Sequence, residues 1–321
     1  MAVDEQKTAA GVIEVTPNGL PIYFQHDPRR YRLGPQTDDQ AVFMTHWTAD
    51  EPDWTIVPSV SEVLDVLHKP GLPWWGMVTG VEGLQTLHAL DLVREIVVAG
   101  RPTLAVQPEG GWQAGEPHPA SPEELVELLT FNQLTVNHVR DRAGDRGLAV
   151  HDALEGWAQS GRLPDPTMYA ATEAGYVRAL VKFLRDVEPE PIASEVMVAS
   201  QEFHFAGRYD LRFRVTKPRQ VVARFYPKNP PLIKTIQPGD ILADLKSSKG
   251  VYTSHPRQLE AYEHASVESG WAETSARGIL HVAETGQYEF VRSWAEFSDF
   301  LAVLMVWRSD EVMKQRKKAQ K

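Results

Sequence analysis

Residues capable of acid, base or metal chemistry follow one another in a fixed order between positions 151 and 262. His151 stands in "RDRAGDRGLAVHDALEGW", Glu195 in "SEVMV", Asp210 at the end of "GRYD", Asp244 and Lys246 in "DLK", and Gln258 and Tyr262 in "QLEAY". In an extended strand, Asp244 and Lys246 point to the same side. On a helix, residues four apart such as Gln258 and Tyr262 share a face. Carboxylates suit hard divalent cations, and one imidazole leans such a site toward tolerating Mn²⁺ beside Mg²⁺. A cation held in this way supplies a nucleophilic water and a counter-charge, which are what phosphodiester hydrolysis needs. Lys246 is placed to orient or deprotonate the water, or to neutralise the phosphate. Burial lowers its pKa and Asp244 raises it, which leaves these roles open.

Singly, each residue has an ordinary explanation. An Asp-x-Lys pair on a strand is most often a solvent-facing ion pair, and a histidine on an amphipathic helix is more often structural. The order and spacing of all five features raise their joint weight. The nearby basic residues Arg208, Arg212, Lys249 and Arg257 could contact phosphates. For each basic residue, ordinary surface charge is at least as good a reading.

The elements that must position these residues are visible in the hydropathy pattern. "ASEVMVAS", "EFHFAGRYDLRFRV", "QVVARFY" and "DILADLKS" read as strands, followed by a helix over 255–268, strand-like "RGILHVAE" and "YEFVRS", and a helix from about 294. Upstream, Val136, Val139, Ala143, Gly147, Val150, Leu154 and Trp157 recur at helical spacing through Ser160, and 167–187 forms another helix. On the first of these, Gly147, His151, Leu154 and Ala158 make one stripe, which turns His151 toward the sheet. Residues 11–33 predict a hairpin around Pro-Asn-Gly. Residues 59–76 predict a helix stopped at Pro70 and Gly71, and 81–98 and 122–131 also read as helical. Residues 107–122 read as a surface loop, "YPKNPPLIKTIQPG" as a protruding hairpin or loop, and "KQRKKAQK" as a solvated basic tail. The order predicts an α/β fold: a central mixed β-sheet flanked by helices, with an N-terminal hairpin and helical extension. The expected division is 1–130 as an N-terminal region packed on the core, 131–310 as the core and 311–321 as the tail.

Composition bounds the rest. The 321 residues contain no cysteine, which removes disulfides, thiolate zinc sites and iron–sulfur clusters. A formal charge of −10 argues against a protein that coats nucleic acid with its whole surface, yet leaves room for a nuclease with a basic channel. No signal-peptide pattern opens the sequence and the longest apolar run, "FLAVLMVW", is too short to span a bilayer, so a cytoplasmic protein without membrane contact is expected. No Walker-type phosphate loop occurs, so the chain is not itself a helicase motor.

Together, these motifs resemble the RecB-like exonucleases of the PD-(D/E)xK nuclease superfamily, in particular the phage-encoded and CRISPR-associated branches. The resemblance covers roughly residues 130 to 285 and extends weakly to "PSVSEVLDVLHKPGLPWW". It implies a restriction-endonuclease-like core and a metal-dependent DNA exonuclease of phage recombination, repair or DNA-end processing. By it, His151, Asp210 and Asp244 are metal ligands with the Leu245 carbonyl, Lys246 is the catalytic lysine, Glu195 matches the acid of the first sheet motif, Gln258 and Tyr262 hold DNA near the scissile phosphate, and Ser247 and Ser248 stand where relatives often carry a hydroxyl suited to a phosphate contact. The missing cysteines set the chain apart from cluster-bearing CRISPR-associated members and bring the cluster-free phage enzymes nearer. The resemblance also implies host-cytoplasm localisation if the chain is phage-encoded, DNA as partner, a single-strand annealing or recombination protein as a further partner, and allows an oligomer. Two other readings compete. One is an inactive DNA-end-binding or recombination-accessory module on the same fold. The other is a carboxylate glycosidase using Glu195 and Asp210, which leaves Lys246, Gln258 and Tyr262 without a task.

Overall fold

The structure is a computed structural model that describes residues 6–8, 11–26, 29–34, 54–67, 71–112, 118–226 and 229–320. The chain divides into two compact units, residues 1–67 with 147–321 and residues 68–146. The N-terminal strands therefore group with the core, and the middle segment stands as a unit of its own, a different division from the one expected at residue 130.

The first unit is built on a mixed five-stranded sheet. In chain order its strands are β8 (Glu190–Ser200), β9 (Phe205–Val215), β12 (Gly239–Lys246), β13 (Ala276–Val282) and β14 (Tyr288–Arg292). They lie side by side as β14-β13-β12-β9-β8. Only β12 and β13 are parallel, and α6 (Ser254–Glu268) crosses between them, as a parallel pair requires. An α/β architecture with a mixed sheet flanked by helices is thus present.

Alternation along β12 sorts its side chains between two faces. Ile241, Ala243 and Leu245 join the core beneath α4 (Val136–Ser160) and α5 (Ala171–Val187), with Leu154, Phe183 and Phe213. Leu242 joins the other core, with Leu259, Tyr262 and Ala265 of α6 and Phe300 and Leu304 of α7 (Phe297–Ala319). Asp244 and Lys246 continue the Leu242 series and so project toward α6.

The predicted N-terminal hairpin is part of a larger structure. β1 (Gln6–Thr8), β2 (Gly11–Val15), β3 (Pro21–His26), β4 (Arg29–Leu33) and β5 (Thr55–Val57) form a five-stranded sheet. Its core residues Val12, Leu20, Ile22 and Leu33 pack with Met197, Ala199 and Ala206 of β8 and β9. Asn18, in the predicted turn, donates from Nδ2 to the Glu268 carbonyl at 2.7 Å. α1 (Val60–Leu64) follows, capped by Ser59, whose hydroxyl accepts from Glu62 N.

Several expectations are corrected. Residues 59–76 do not make one helix stopped at Gly71. α1 ends at Leu64, residues 68–70 lie outside the described residues, and Gly71 begins α2 (Gly71–Ala89), whose first turn tolerates Pro73. Residues 93–98 are not helical. β-Branched "VREIVV" forms β6 (Val93–Val98), joined to β7 (Arg101–Val106) by Ala99 and Gly100, both at positive φ as a two-residue hairpin turn demands. Of the hairpin or loop expected after Tyr226, the hairpin is present: β11 (Asn229–Ile236) pairs antiparallel with β10 (Arg219–Tyr226), and Pro230 and Pro231 are tolerated because β11 is an edge. The basic tail is helical, since α7 continues to Ala319 with Arg316, Lys317 and Lys318 in its last turn, where cations favour the helix dipole. The 122–131 helix is present as α3 (Pro122–Phe131), opened by a Ser121–Glu124 capping box. The loop expected over 107–122 falls partly on 113–117, outside the described residues. Among the described residues, no helix is long and apolar enough to cross a membrane.

Gly207 allows the tightest approach near the site, because a Cβ there would lie 2.4 Å from Tyr262 Cε1 and 3.3 Å from Val60 Cγ2. Gly207→Ala is expected to lower stability by about 1–3 kcal/mol through overpacking. Urea unfolding checks this, and an unchanged midpoint would contradict so close an approach.

Candidate metal and catalytic site

Register places three acids abreast. In the β8–β9 ladder Ser194 pairs with Leu211 and Val196 with Tyr209, so Glu195 falls opposite Asp210. In the β9–β12 ladder Ala243 pairs with Leu211, so the next position, Asp244, also falls opposite Asp210. The acids come from three neighbouring strands and occupy one level of the sheet.

Glu195 reaches this position at φ +52, in the left-handed region, within an otherwise extended strand. A non-glycine residue there costs roughly 1–3 kcal/mol and persists only where its surroundings enforce it. Such conformations concentrate at functional sites.

α4 supplies the fourth group. His151 Nδ1 lies 3.4 Å from Glu195 Oε1 and 3.6 Å from Asp210 Oδ1. One donor atom from each of His151, Glu195 and Asp210 lies within 4.8 Å of the others, the spacing of ligands around a single cation. Asp210 Oδ2 accepts from Leu245 N at 2.5 Å, which ties the middle acid to β12.

Asp244 and Lys246 form a second pair at the same place. Lys246 Nζ stands 2.7 Å from Asp244 Oδ2, and the Asp244 side chain is only 1% exposed. Asp244 Oδ1 is buried without a hydrogen-bond partner among the described residues. A bare carboxylate oxygen in the interior is costly unless a cation or donor meets it. His151, Glu195 and Asp210 could therefore hold a metal ion, with Asp244 in register beside Asp210.

Electrostatics follow from crowding these charges in a dry place. Burial pushes the Asp244 carboxyl up to about 6, against the pull of Lys246 and with the repulsion of Asp210. Burial raises Asp210 as well, opposed by His151 and Lys246. Burial alone would discharge Lys246, but Asp244 and Asp210 more than reverse this and hold its pKa above the ordinary value. Burial likewise disfavours the His151 imidazolium, yet Asp210 and Glu195 raise its pKa to about 9.

The remaining predicted residues fall into two groups. Gln258 Nε2 donates to Tyr262 OH at 2.7 Å, and burial with the nearby Asp244 charge pushes the Tyr262 phenol well above its ordinary pKa. Ser247 lies beside α4, since a Cβ on Gly147 would stand 3.6 Å from its Oγ. Arg257 donates from Nη1 to the Thr253 carbonyl at 3.0 Å, within its own helix. Lys249 is exposed. Of the other two cations offered as phosphate contacts, Arg212 is internal and Arg208 is half-buried. Arg212 is 1% exposed, donates to Ser266 Oγ and the Ala272 carbonyl, and lies against Trp271. Arg208 faces the buried Glu14 at 3.6 Å.

Supporting residues that sequence reasoning passed over come from distant positions. Glu14 Oε2 accepts from Met197 N at 2.7 Å, two residues beyond Glu195. His281, the register partner of Lys246, contacts the Ser248 carbonyl through Nε2 at 2.7 Å, and its Nδ1 lies 3.6 Å from Glu289. No local pattern marks these residues, apart from a polar His281 inside the apolar run "GILHVA".

Because the folded pKa of His151 is raised, its pairing stabilises the metal-free protein fully below about pH 6.5 and the effect is lost as pH rises through about 9. A metal ligand must be neutral imidazole, so Mn²⁺ binding at pH 7 is expected to release about one proton. Calorimetry in buffers of different ionisation enthalpy measures this, and binding with no proton release would remove His151 from the ligand set. Comparison with protein-family models gives no match, and no curated protein matches the chain.

Proposed function

We propose that the chain is a divalent-metal-dependent deoxyribonuclease that hydrolyses phosphodiester bonds from DNA ends, with a core of the PD-(D/E)xK type. The observation that carries this reading is the level set of Glu195, Asp210 and Asp244 on adjacent strands with Lys246 paired to the last of them. The strand–crossover–strand order of β12, α6 and β13 is compatible with such a core.

In this reading Asp210, Asp244, Glu195 and His151 hold Mg²⁺ or Mn²⁺, with the Leu245 carbonyl as a further ligand. When bound, the cation supplies an activated water and a counter-charge for the reacting phosphate. Lys246, kept as an ammonium by its acidic neighbours, neutralises charge on the phosphate and orients the water. That direction favours charge stabilisation over proton abstraction. Gln258, half-buried and fixed through Tyr262, lies on the helix that crosses beside the metal ligands and borders the strand to be cut. Ser247, directly after the lysine, offers a hydroxyl to the same phosphate. A glycosidase would leave the buried Asp244–Lys246 pair without a task.

The experiment is digestion of end-labelled linear duplex, linear single strand and closed circular DNA with Mg²⁺, Mn²⁺ or EDTA. Linear DNA is expected to disappear only with metal, and Lys246→Ala to slow the reaction by about 10²–10⁴-fold. Binding of DNA ends by both proteins without turnover would replace the enzyme with an accessory module. Cleavage that persists in EDTA would overturn the metal assignment.

A further inference from the structure

A cavity of about 550 Å³ opens on the first unit away from the carboxylates, and none of its lining residues belongs to that cluster. Its volume lies within the roughly 300–1,000 Å³ of small-molecule sites. One wall is the face of α5 that carries Arg178, Lys182 and Arg185, spaced four and three apart so that all three cations point the same way. Leu163, Pro164, Asp165 and Pro166 also line it, with the Asp165 carboxylate between the two prolines.

The charges in this cavity are unevenly matched. Asp165 Oδ1 accepts from Thr167 N at 3.0 Å and from Thr167 Oγ1 at 2.8 Å, and Asp186 Oδ2 accepts from Tyr288 OH at 2.7 Å. Lys182 Nζ donates to Gln287 Oε1 at 2.7 Å and lies 5.9 Å from the Tyr288 ring centroid. Arg178 and Arg185 make no ion pair among the described residues. The lining thus carries three cations, Arg178, Lys182 and Arg185, against two carboxylates, Asp165 and Asp186. Arg178 and Lys182 are like charges four apart, and Asp186, four beyond Lys182, offsets part of their repulsion. Guanidinium forks bind phosphate oxygens in pairs, and the proline wall offers a flat apolar surface.

We propose that this cavity is a binding site for a small phosphorylated ligand with an apolar body, of the nucleoside monophosphate class, held by Arg178, Lys182 and Arg185 against Pro164 and Pro166. The proposal does not rest on the nuclease reading.

Titration of the full chain with deoxyadenosine 5′-monophosphate in EDTA, followed by calorimetry, tests it while the carboxylate site is kept free of metal. Saturable binding is expected, weakened at least tenfold by Arg178→Glu with Arg185→Glu and unaltered by Asp244→Ala. Both arginines are exposed, and a thermal melt checks the fold. If charge reversal unfolds the chain, Arg178→Gln with Arg185→Gln takes its place, with the same tenfold loss expected. Inorganic phosphate should bind more weakly than the nucleotide, and deoxyadenosine should not bind. No saturable binding, equal binding by the double variant, or loss of binding in Asp244→Ala would each overturn the proposal, while phosphate as tight as nucleotide would overturn the apolar contact.

Discussion

Three carboxylates held at one level of a sheet repel one another, and the rest of the first unit can be understood as what makes that arrangement tolerable. In a low-dielectric setting, neighbouring like charges and desolvation both favour the neutral acids. The protein answers with one ammonium and one imidazolium, Lys246 against Asp244 and His151 between Glu195 and Asp210. Even so, Asp244 Oδ1 lacks a donor among the described residues. The balance is incomplete in the bare protein, and a divalent cation would complete it.

Holding such a cluster requires rigid support from several directions. Glu14 secures β8 at Met197 next to the strained Glu195 backbone. Leu245 N anchors Asp210 from β12. His281, with Glu289 near its Nδ1, holds the Ser248 carbonyl just after Lys246 through Nε2. Gly207 leaves room for Tyr262 to pack beneath the acids and fix Gln258. Each contact joins elements far apart in sequence, so the site belongs to the assembled unit and to no single motif.

That distribution explains what could be read from the sequence and what could not. The strand alternation of "DILADLK" and the helical spacing of "QLEAY" were legible because local geometry dictates which side chains share a face. The stripe Gly147, His151, Leu154 and Ala158 was legible for the same reason, and His151 does meet the acids. The internal position of Arg212 was not legible, since a basic residue on a strand looks alike whether it faces water or the core. β6 was misread because "VREIVV" follows a true helix without a proline, and its hairpin turn uses Ala99 where a second glycine or asparagine would have signalled it. The Glu14 and His281 contacts depend on tertiary pairing that no window of sequence contains.

The central claim is that Glu195, Asp210, Asp244 and His151 form one divalent-cation site. Electron paramagnetic resonance of Mn²⁺ titrated into the wild-type chain and into Asp210→Ala tests it most directly, because Asp210 touches both strands and the histidine. The account predicts saturable binding by the wild type and at least a tenfold loss in the variant. Absence of Mn²⁺ binding, or equal affinity in the two proteins, would contradict it.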